Sequence, residues 1–439
     1  MVTLGKNSLS TRSTATSPLP PKAYLVGFMH TGDAPGQPEA MLDELHELVT
    51  TQGLEIVGSE LARIREYDPG TILGSGKVKE IIATAERLGA EVIVSDDFLS
   101  PSQQRNWEKQ TSCAVIDRQE VILEIFAGRA QTNEARLQVQ LAKANYALPR
   151  LVRKWQHLSR QRGAAGGLGG RAEGEQQLEL DSRVIRKRIQ FLNDQLAEVR
   201  KRREVQRHQR LKKPVPVVAI VGYTNAGKSS LLNRMTSSGV LVENKLFATL
   251  DTTVRRTMLP GGQEVLLADT VGFIRKLPHQ LVEAFKSTLE ETVLSDYILE
   301  VLDASDPSVS EHHDTVHEVL TELHVGPKPA LIVLNKWDIV PPERREELLF
   351  AFPEALPISV RTGEGLEKLS SRLARLLTAL MPRKTFLFPP DAMGKLAEMR
   401  RVCFIENEEY LDDGAHITAR IPQEHLGHWD AFLLPQPRL

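Results

Sequence analysis

The octapeptide Gly222-Tyr223-Thr224-Asn225-Ala226-Gly227-Lys228-Ser229 constrains this chain more than any other stretch of it. It has the form G-x-x-x-x-G-K-S. An apolar, valine-rich run, Pro216–Val221, leads into it, and a helix-forming run, Ser230–Met235, leads out. Strand, loop, helix is the context in which such a loop cradles phosphates. Backbone N–H groups from Asn225 to Ser229 would face an anion at a helix N-terminus. Lys228 would place a cation between β- and γ-phosphates, and the Ser229 hydroxyl would ligate Mg²⁺. A chain built around this loop is expected to form an α/β domain with a doubly wound, mostly parallel sheet.

Three further segments complete a nucleotide constellation. Asp269-Thr270-Val271-Gly272 follows the apolar run Val265–Ala268. Asp269 can hold Mg²⁺ through a water, and the Gly272 N–H can sense a γ-phosphate. Between the two sites lies Phe247-Ala248-Thr249-Leu250-Asp251-Thr252-Thr253. A threonine here would close on Mg²⁺ only with the γ-phosphate present, and Thr249, Thr252 and Thr253 all qualify chemically. Asn335-Lys336-Trp337-Asp338 follows the strand-like run Ala330–Leu334. Asp338 can accept from guanine N1–H and the 2-amino group together. Adenine offers an acceptor at N1 and no 2-amino group, so a carboxylate left unpaired there penalises it. Lys336 would lie along the base plane, and Asn335 would brace the loop. In Ser359-Val360-Arg361 the Val360 N–H is expected at guanine O6. The residue after Gly272 is Phe273, where many GTP hydrolases carry a glutamine that orients the attacking water. Phenylalanine cannot do this, so intrinsic turnover should be slow and an outside element should trigger it. Arg255 and Arg256 follow the Phe247–Thr253 segment closely but identify no fixed internal arginine finger.

The remaining chain divides around this domain. Its 439 residues suggest about three domains. Residues 1–21, rich in Ser, Thr and Pro, read as a disordered tail. A secretory leader is excluded by the lack of an apolar segment, and an organelle transit peptide is a minor alternative. Residues 22–129 alternate strand runs (Ala23–Met29, Leu54–Ser59, Glu91–Ser95) with helix runs (Ala40–Gln52, Lys77–Leu88), predicting a small α/β domain. Gly74-Ser75-Gly76-Lys77 within it resembles a phosphate loop loosely and reads better as a turn opening a helix. In 130–213, Leu137, Leu141, Ala144, Leu148, Leu151, Trp155 and Leu158 form one heptad seam, with a kink expected at Pro149. Ile185, Ile189, Leu192, Leu196 and Val199 form a second seam. Six glycines between residues 163 and 174 separate the two seams. The pattern is an antiparallel helical hairpin with a glycine-rich tip. Residues 214–381 hold the nucleotide domain. In 382–439, strands Val402–Ile405 and His416–Arg420 with a helix near Asp391–Met399 predict a small α+β unit.

Charge singles out the hairpin. The whole chain has 55 Lys and Arg against 57 Asp and Glu, a net of −2. From Arg150 to Lys213 there are 18 basic and 7 acidic residues, a net of +11, so everything else sums to −13. Glycines that let backbones approach closely, flanked by Arg160, Arg162 and Arg171, suit the phosphates of RNA. Only Trp155 and Phe191 are aromatic there, so base stacking is not the expected mode. The two cysteines, Cys113 and Cys403, make no metal-ligand spacing, and no apolar run is long enough to span a membrane. A reducing, cytoplasmic setting and a monomer are expected.

The phosphate loop, Phe247–Thr253, Asp269–Phe273, Asn335–Asp338 and the basic arm ahead of them resemble HflX, a family of ribosome-associated bacterial GTPases of the Obg/Era-like class. The resemblance covers about 22–439. Its most specific part is Gly166–Arg183, where the family usually reads G-x-R-G-P-G-E-T-Q-L-E-x-D-R-R. This chain carries Ala172-Glu173 for Gly-Pro, Gln176 for Thr and Ser182 for Arg. The resemblance implies GTP hydrolysis with Mg²⁺, and Thr249 as the threonine that closes on it. It also implies binding to the large ribosomal subunit and its rRNA, hydrolysis stimulated there, and splitting of stalled or idle ribosomes. An RNA-remodelling protein using ATP through the N-terminal domain, with GTP as a regulatory ligand, is the alternative.

Overall fold

The computed structural model describes residues 20–162, 182–199, 201–202, 215–236, 246–247, 253–276, 292–323, 325–326, 328–422 and 425–434. The chain divides into two compact units, Met1–Glu124 and Ile125–Leu439.

The first unit is a four-stranded parallel sheet, order β2-β1-β3-β4, from β1 (Lys22–Met29), β2 (Glu55–Arg63), β3 (Val92–Ser95) and β4 (Ala114–Asp117). Helices α1 (Gln37–Gln52), α2 (Ser75–Arg87) and α3 (Pro101–Glu108) connect the strands. Short strand β4, not expected from the sequence, is only four residues long, too few for its alternating burial to stand out in the sequence. Ser100 caps α3 in a capping box with Gln103, so two N-terminal amide groups are satisfied locally. Gly74 occupies the N-cap of α2, the helix start anticipated there. Lys77 pairs with Glu60 and, at 3.1 Å, with Glu80, which holds its ammonium above the ordinary lysine range. In helix α4 (Arg118–Arg129), buried Arg118 pairs with Asp96 at 2.8 Å and with Glu44. Arg118→Ala should destabilise this unit by about 3–5 kcal/mol, because it withdraws the cation that two carboxylates face. Urea unfolding of the full chain, followed at Trp107, would measure it; an unchanged midpoint would contradict it.

The second unit begins with the arm. Helix α5 (Asn133–Arg162) runs as one element with Pro149 inside it. Residues 182–199 form α6. Leu137 and Leu141 pack against Ile189, Leu192 and Leu196, and Arg188 donates to Gln140 Oε1 at 2.6 Å. The two heptad seams therefore meet. The glycine-rich tip lies outside the described residues.

The sheet that follows has six strands, order β10-β9-β8-β5-β7-β6. They are β5 (Val217–Gly222), β6 (Thr253–Leu259), β7 (Gln263–Asp269), β8 (Tyr297–Asp303), β9 (Ala330–Asn335) and β10 (Leu356–Pro357). All pair in parallel except edge strand β6, which is antiparallel to β7. One face packs against α7 (Lys228–Thr236) and α10 (Leu366–Leu380), through Leu231, Leu232, Leu369, Leu373 and Leu377. The i, i+4, i+8 spacing on α10 makes this apolar stripe, each leucine contributing about 1.5–3 kcal/mol. The other face meets α8 (Val309–Glu322) and α9 (Pro342–Ala351), through Val309 and Leu348 against Leu302 and Leu334. The doubly wound sheet is thus as expected, and it gathers the strand ends that carry the motifs.

The C-terminal element is an antiparallel sheet, order β11-β13-β12, from β11 (Arg383–Phe388), β12 (Phe404–Leu411) and β13 (Gly414–Arg420). Helix α11 (Met393–Val402) packs on it through Leu396 and Met399. Residue Val402, read as strand, ends this helix, and the opening strand β11 was missed because its Arg-Lys-Thr start looks polar.

Candidate functional site

The phosphate loop joins the end of β5 to the start of α7. Gly227 takes φ of +97°, and a Cβ on it would lie 2.3 Å from Asn335 Nδ2. Asn225 sits in the left-handed region at φ +61°, which Asn tolerates better than most residues. Lys228 is buried and donates to the Tyr223 carbonyl at 2.6 Å, folding over the loop. Burial lowers its pKa to about 8, with the charge of Asp269 pulling the other way. Bound phosphates would restore the ammonium. Nucleotide binding should therefore take up a proton when the pH exceeds about 8, and affinity should fall as pH rises through that value. Calorimetry of GDP binding at alkaline pH, in two buffers of different ionisation heat, measures this; equal heats in both would contradict it.

Ser229 and Asp269 converge from α7 and β7: Ser229 Oγ donates to Asp269 Oδ2 at 2.6 Å, and Asp269 is fully buried. A hydroxyl and a carboxylate are hard oxygen donors, so the pair fits Mg²⁺. Thr270 anchors the segment through Oγ1 to the Ile220 carbonyl at 2.8 Å. Gly272 lies against the loop; a Cβ on it would sit 2.9 Å from Thr224 Cα and 3.0 Å from Lys228 Nζ. Val271 is buried beside it. Phe273 is pinned to the loop, accepting from Thr224 N–H at 2.8 Å and donating to the Gly222 carbonyl at 3.1 Å. The residue is 1 % exposed, so it is part of the loop's support and not a group facing solvent.

Three contacts were invisible in the sequence. Tyr223 stacks on His312 of α8, with centroids 3.7 Å apart and planes 11° from parallel. Its hydroxyl accepts from Arg275 N–H at 2.8 Å, and Arg275 pairs with Glu311 of α8 at 2.5 Å. Burial lowers the His312 pKa to about 4, so its ring is neutral here. Helix α8 thereby supports the phosphate loop. No motif marks His312 or Glu311, since a helix over a strand end is long-range in sequence.

The base-reading segment is joined to the phosphate loop through Asn335. Its Nδ2 donates to the Ala226 carbonyl at 2.8 Å and its Oδ1 accepts from Val360 N–H at 3.1 Å. Asn335 braces two loops, and the Val360 N–H expected at guanine O6 is directed at Asn335. Lys336, at φ +61°, pairs with Asp303 at the end of β8 at 2.6 Å. Trp337 is buried, and its backbone N–H donates to the Ile358 carbonyl at 3.0 Å. A hydrogen bond from the Ser359 hydroxyl, joined by Arg361, holds the Asp338 carboxyl below the usual carboxylate range. Arg361 forms an ion pair with Asp338 Oδ2. Ser359 itself is fully buried.

Of the intervening segment, Phe247 is buried at φ +55° with its ring edge-on to Phe126, centroids 4.5 Å apart. Ala248, Thr249, Leu250 and Asp251 lie outside the described residues. Both cysteines are free and buried, and burial pushes the Cys403 thiol up to about 12. Among the described residues no helix is long and apolar enough to cross a membrane.

A doubly wound sheet whose strand ends carry this phosphate loop, Asp269-x-x-Gly272 and Asn335-Lys336-x-Asp338 defines a P-loop GTP hydrolase. Family models agree along the chain: "GTP-binding GTPase N-terminal" matches 39–127, "GTP-binding GTPase Middle Region" 129–210, and "50S ribosome-binding GTPase" 217–336. GTPase HflX of Akkermansia muciniphila is 45% identical over 94% of this chain and 97% of its own. The Escherichia coli protein of that name is 41% identical, covering 91% of this chain and 93% of its own. Among solved structures, the complex of SsGBP with GDP is 23% identical over 82% of this chain and 99% of that one, with a TM-score of 0.46. The chain belongs to the GTPase HflX family. It binds guanine nucleotide and hydrolyses GTP.

Proposed function

We propose that this protein is a ribosome-triggered switch. The GTP form docks its basic hairpin, 130–213, on the rRNA of the large ribosomal subunit, hydrolyses GTP there, and splits stalled or idle ribosomes. The charge separation carries this reading: +11 over Arg150–Lys213 on a chain of net −2. Such a lever suits polyanionic RNA and makes docking salt-dependent. The matched family description, "50S ribosome-binding GTPase", and the membership of the HflX family support the partner. The protein would act as a monomer in the cytoplasm, where its partner is.

In this reading Lys228 and the loop amides hold the phosphates, and Asp338 reads the base. Ser229, Asp269 through a water, and Thr249 would hold Mg²⁺, which neutralises phosphate charge when bound. The Gly272 N–H senses the γ-phosphate. Phe273 supplies no group to orient a water, so the isolated protein turns over slowly until the ribosome completes the site.

Sedimentation with ribosomes in GDP and in a non-hydrolysable GTP analogue tests the switch. Co-migration only with the analogue, together with faster GTP turnover on large subunits, is expected. Equal turnover with and without subunits would sink ribosome activation.

A further inference from the structure

Strand β8 reads Tyr-Ile-Leu-Glu-Val-Leu-Asp, and it lies between β5 and β9 with both faces covered. In its middle, Glu300 is 1 % exposed. A carboxylate at the centre of a parallel sheet is costly unless partnered. Its partners are two imidazoles of α8. His313 Nδ1 lies 2.8 Å from Glu300 Oε1, and His317 Nε2 lies 3.2 Å from Oε2. An i, i+4 spacing stacks both histidines on one helical face, with ring centroids 4.3 Å apart.

We propose that Glu300, His313 and His317 form a binding site for a divalent transition-metal ion of the zinc type. The three offered ligand atoms lie within 4.8 Å of one another. Tetrahedral zinc with N and O ligands near 2.1 Å places neighbouring donors about 3.4 Å apart. Small rotations of two side chains on one helix face close that difference. Two imidazole nitrogens and one carboxylate oxygen favour zinc, nickel or copper over the oxygen-seeking Mg²⁺ of the nucleotide site. Three protein ligands leave one coordination position open. His313 also lines a surface cavity of about 350 Å³, with Asp314 and Phe352, and His317 is half-exposed. The site is thus rooted in the core by Glu300 and open to ions at its rim. It lies apart from the phosphate loop, and no nucleotide motif includes any of the three residues. A bound ion would fasten α8 to β8, and α8 is the helix whose Glu311 and His312 support the phosphate loop.

The same distances would arise if Glu300 only accepted hydrogen bonds from two imidazole N–H groups, so the test must separate the two cases. Full-length protein is stripped with chelator, returned to saturating Mg²⁺ and GDP, and titrated with Zn²⁺ by calorimetry and with Co²⁺ by visible absorption. One Zn²⁺ per chain at micromolar affinity or tighter is expected, with the intense visible band of four-coordinate Co²⁺. His317→Ala, at the exposed rim and leaving His313 as a partner for Glu300, and Glu300→Gln should each weaken Zn²⁺ at least tenfold and remove the band. A His425→Ala, His428→Ala double variant, elsewhere on the chain, should change neither. Absence of stoichiometric Zn²⁺ binding in the parent protein, or binding that persists in both His317→Ala and Glu300→Gln, would overturn the proposal.

Discussion

Lys228→Ala should leave the protein with guanine-nucleotide affinity at least about 10³-fold lower, a loss of some 4 kcal/mol, and with no measurable GTP turnover. The ammonium is the one side-chain cation the sequence places against the β- and γ-phosphates, and charge-assisted hydrogen bonds contribute about 1.5–3 kcal/mol each. The variant should not be an unfolded one. In the nucleotide-free protein, burial depresses the Lys228 pKa to about 8, so at neutral pH the folded state carries an ammonium that it disfavours. Unfolding then takes up protons between that value and the ordinary lysine pKa, and stability of the free protein rises with pH across that window. Removing the group should leave nucleotide-free melting unchanged or higher by a few kcal/mol, while the rise caused by GDP disappears. Paired melts with and without GDP read both signs. A GDP-dependent rise that survives the substitution would show that the phosphate loop is wrongly assigned.

Asp338→Asn should lower GTP and GDP affinity by about 10²–10⁴-fold, from two lost charge-assisted bonds of about 1.5–3 kcal/mol each. The neutral amide keeps the shape but presents a donor where guanine also presents donors. Xanthine has a carbonyl in place of the 2-amino group, so xanthosine nucleotides should gain affinity as guanosine nucleotides lose it. Competition of GDP and XDP for the variant gives the ratio directly. If the parent's preference for guanine persists, another residue reads the base.

Local chemistry was legible in the sequence, and spatial closure was not. The phosphate loop, Asp269–Gly272 and Asn335–Asp338 are each contiguous, and each sits at the end of an apolar run. A parallel sheet brings such ends to one edge, so the site could be assembled from spacing alone. The heptad seams of the arm were equally readable, because helical period is a local property. Asn335 Nδ2 to the Ala226 carbonyl spans 109 residues, and nothing in either segment announces it. The bracing role of Asn335 was anticipated, but the direction of the Val360 N–H toward it was not. Support of the loop by Tyr223, His312 and Glu311 depends on where α8 crosses the strand ends, which no periodicity encodes. Strands β4 and β11 were missed for the opposite reason: one is very short and the other begins with charged residues.

The pairing of Arg361 with Asp338 gives this carboxylate a donor of the kind that the proposed reading assigns to guanine. A guanidinium is a flat fork of N–H donors, and so is the N1–H and 2-amino edge of guanine. In the proposed reading, capture of the base would replace the single Nη2 contact from Arg361 with the donors of guanine. In that reading an adenine would have to displace the arginine while offering no donor at N1, so the protein's own side chain would compete with it.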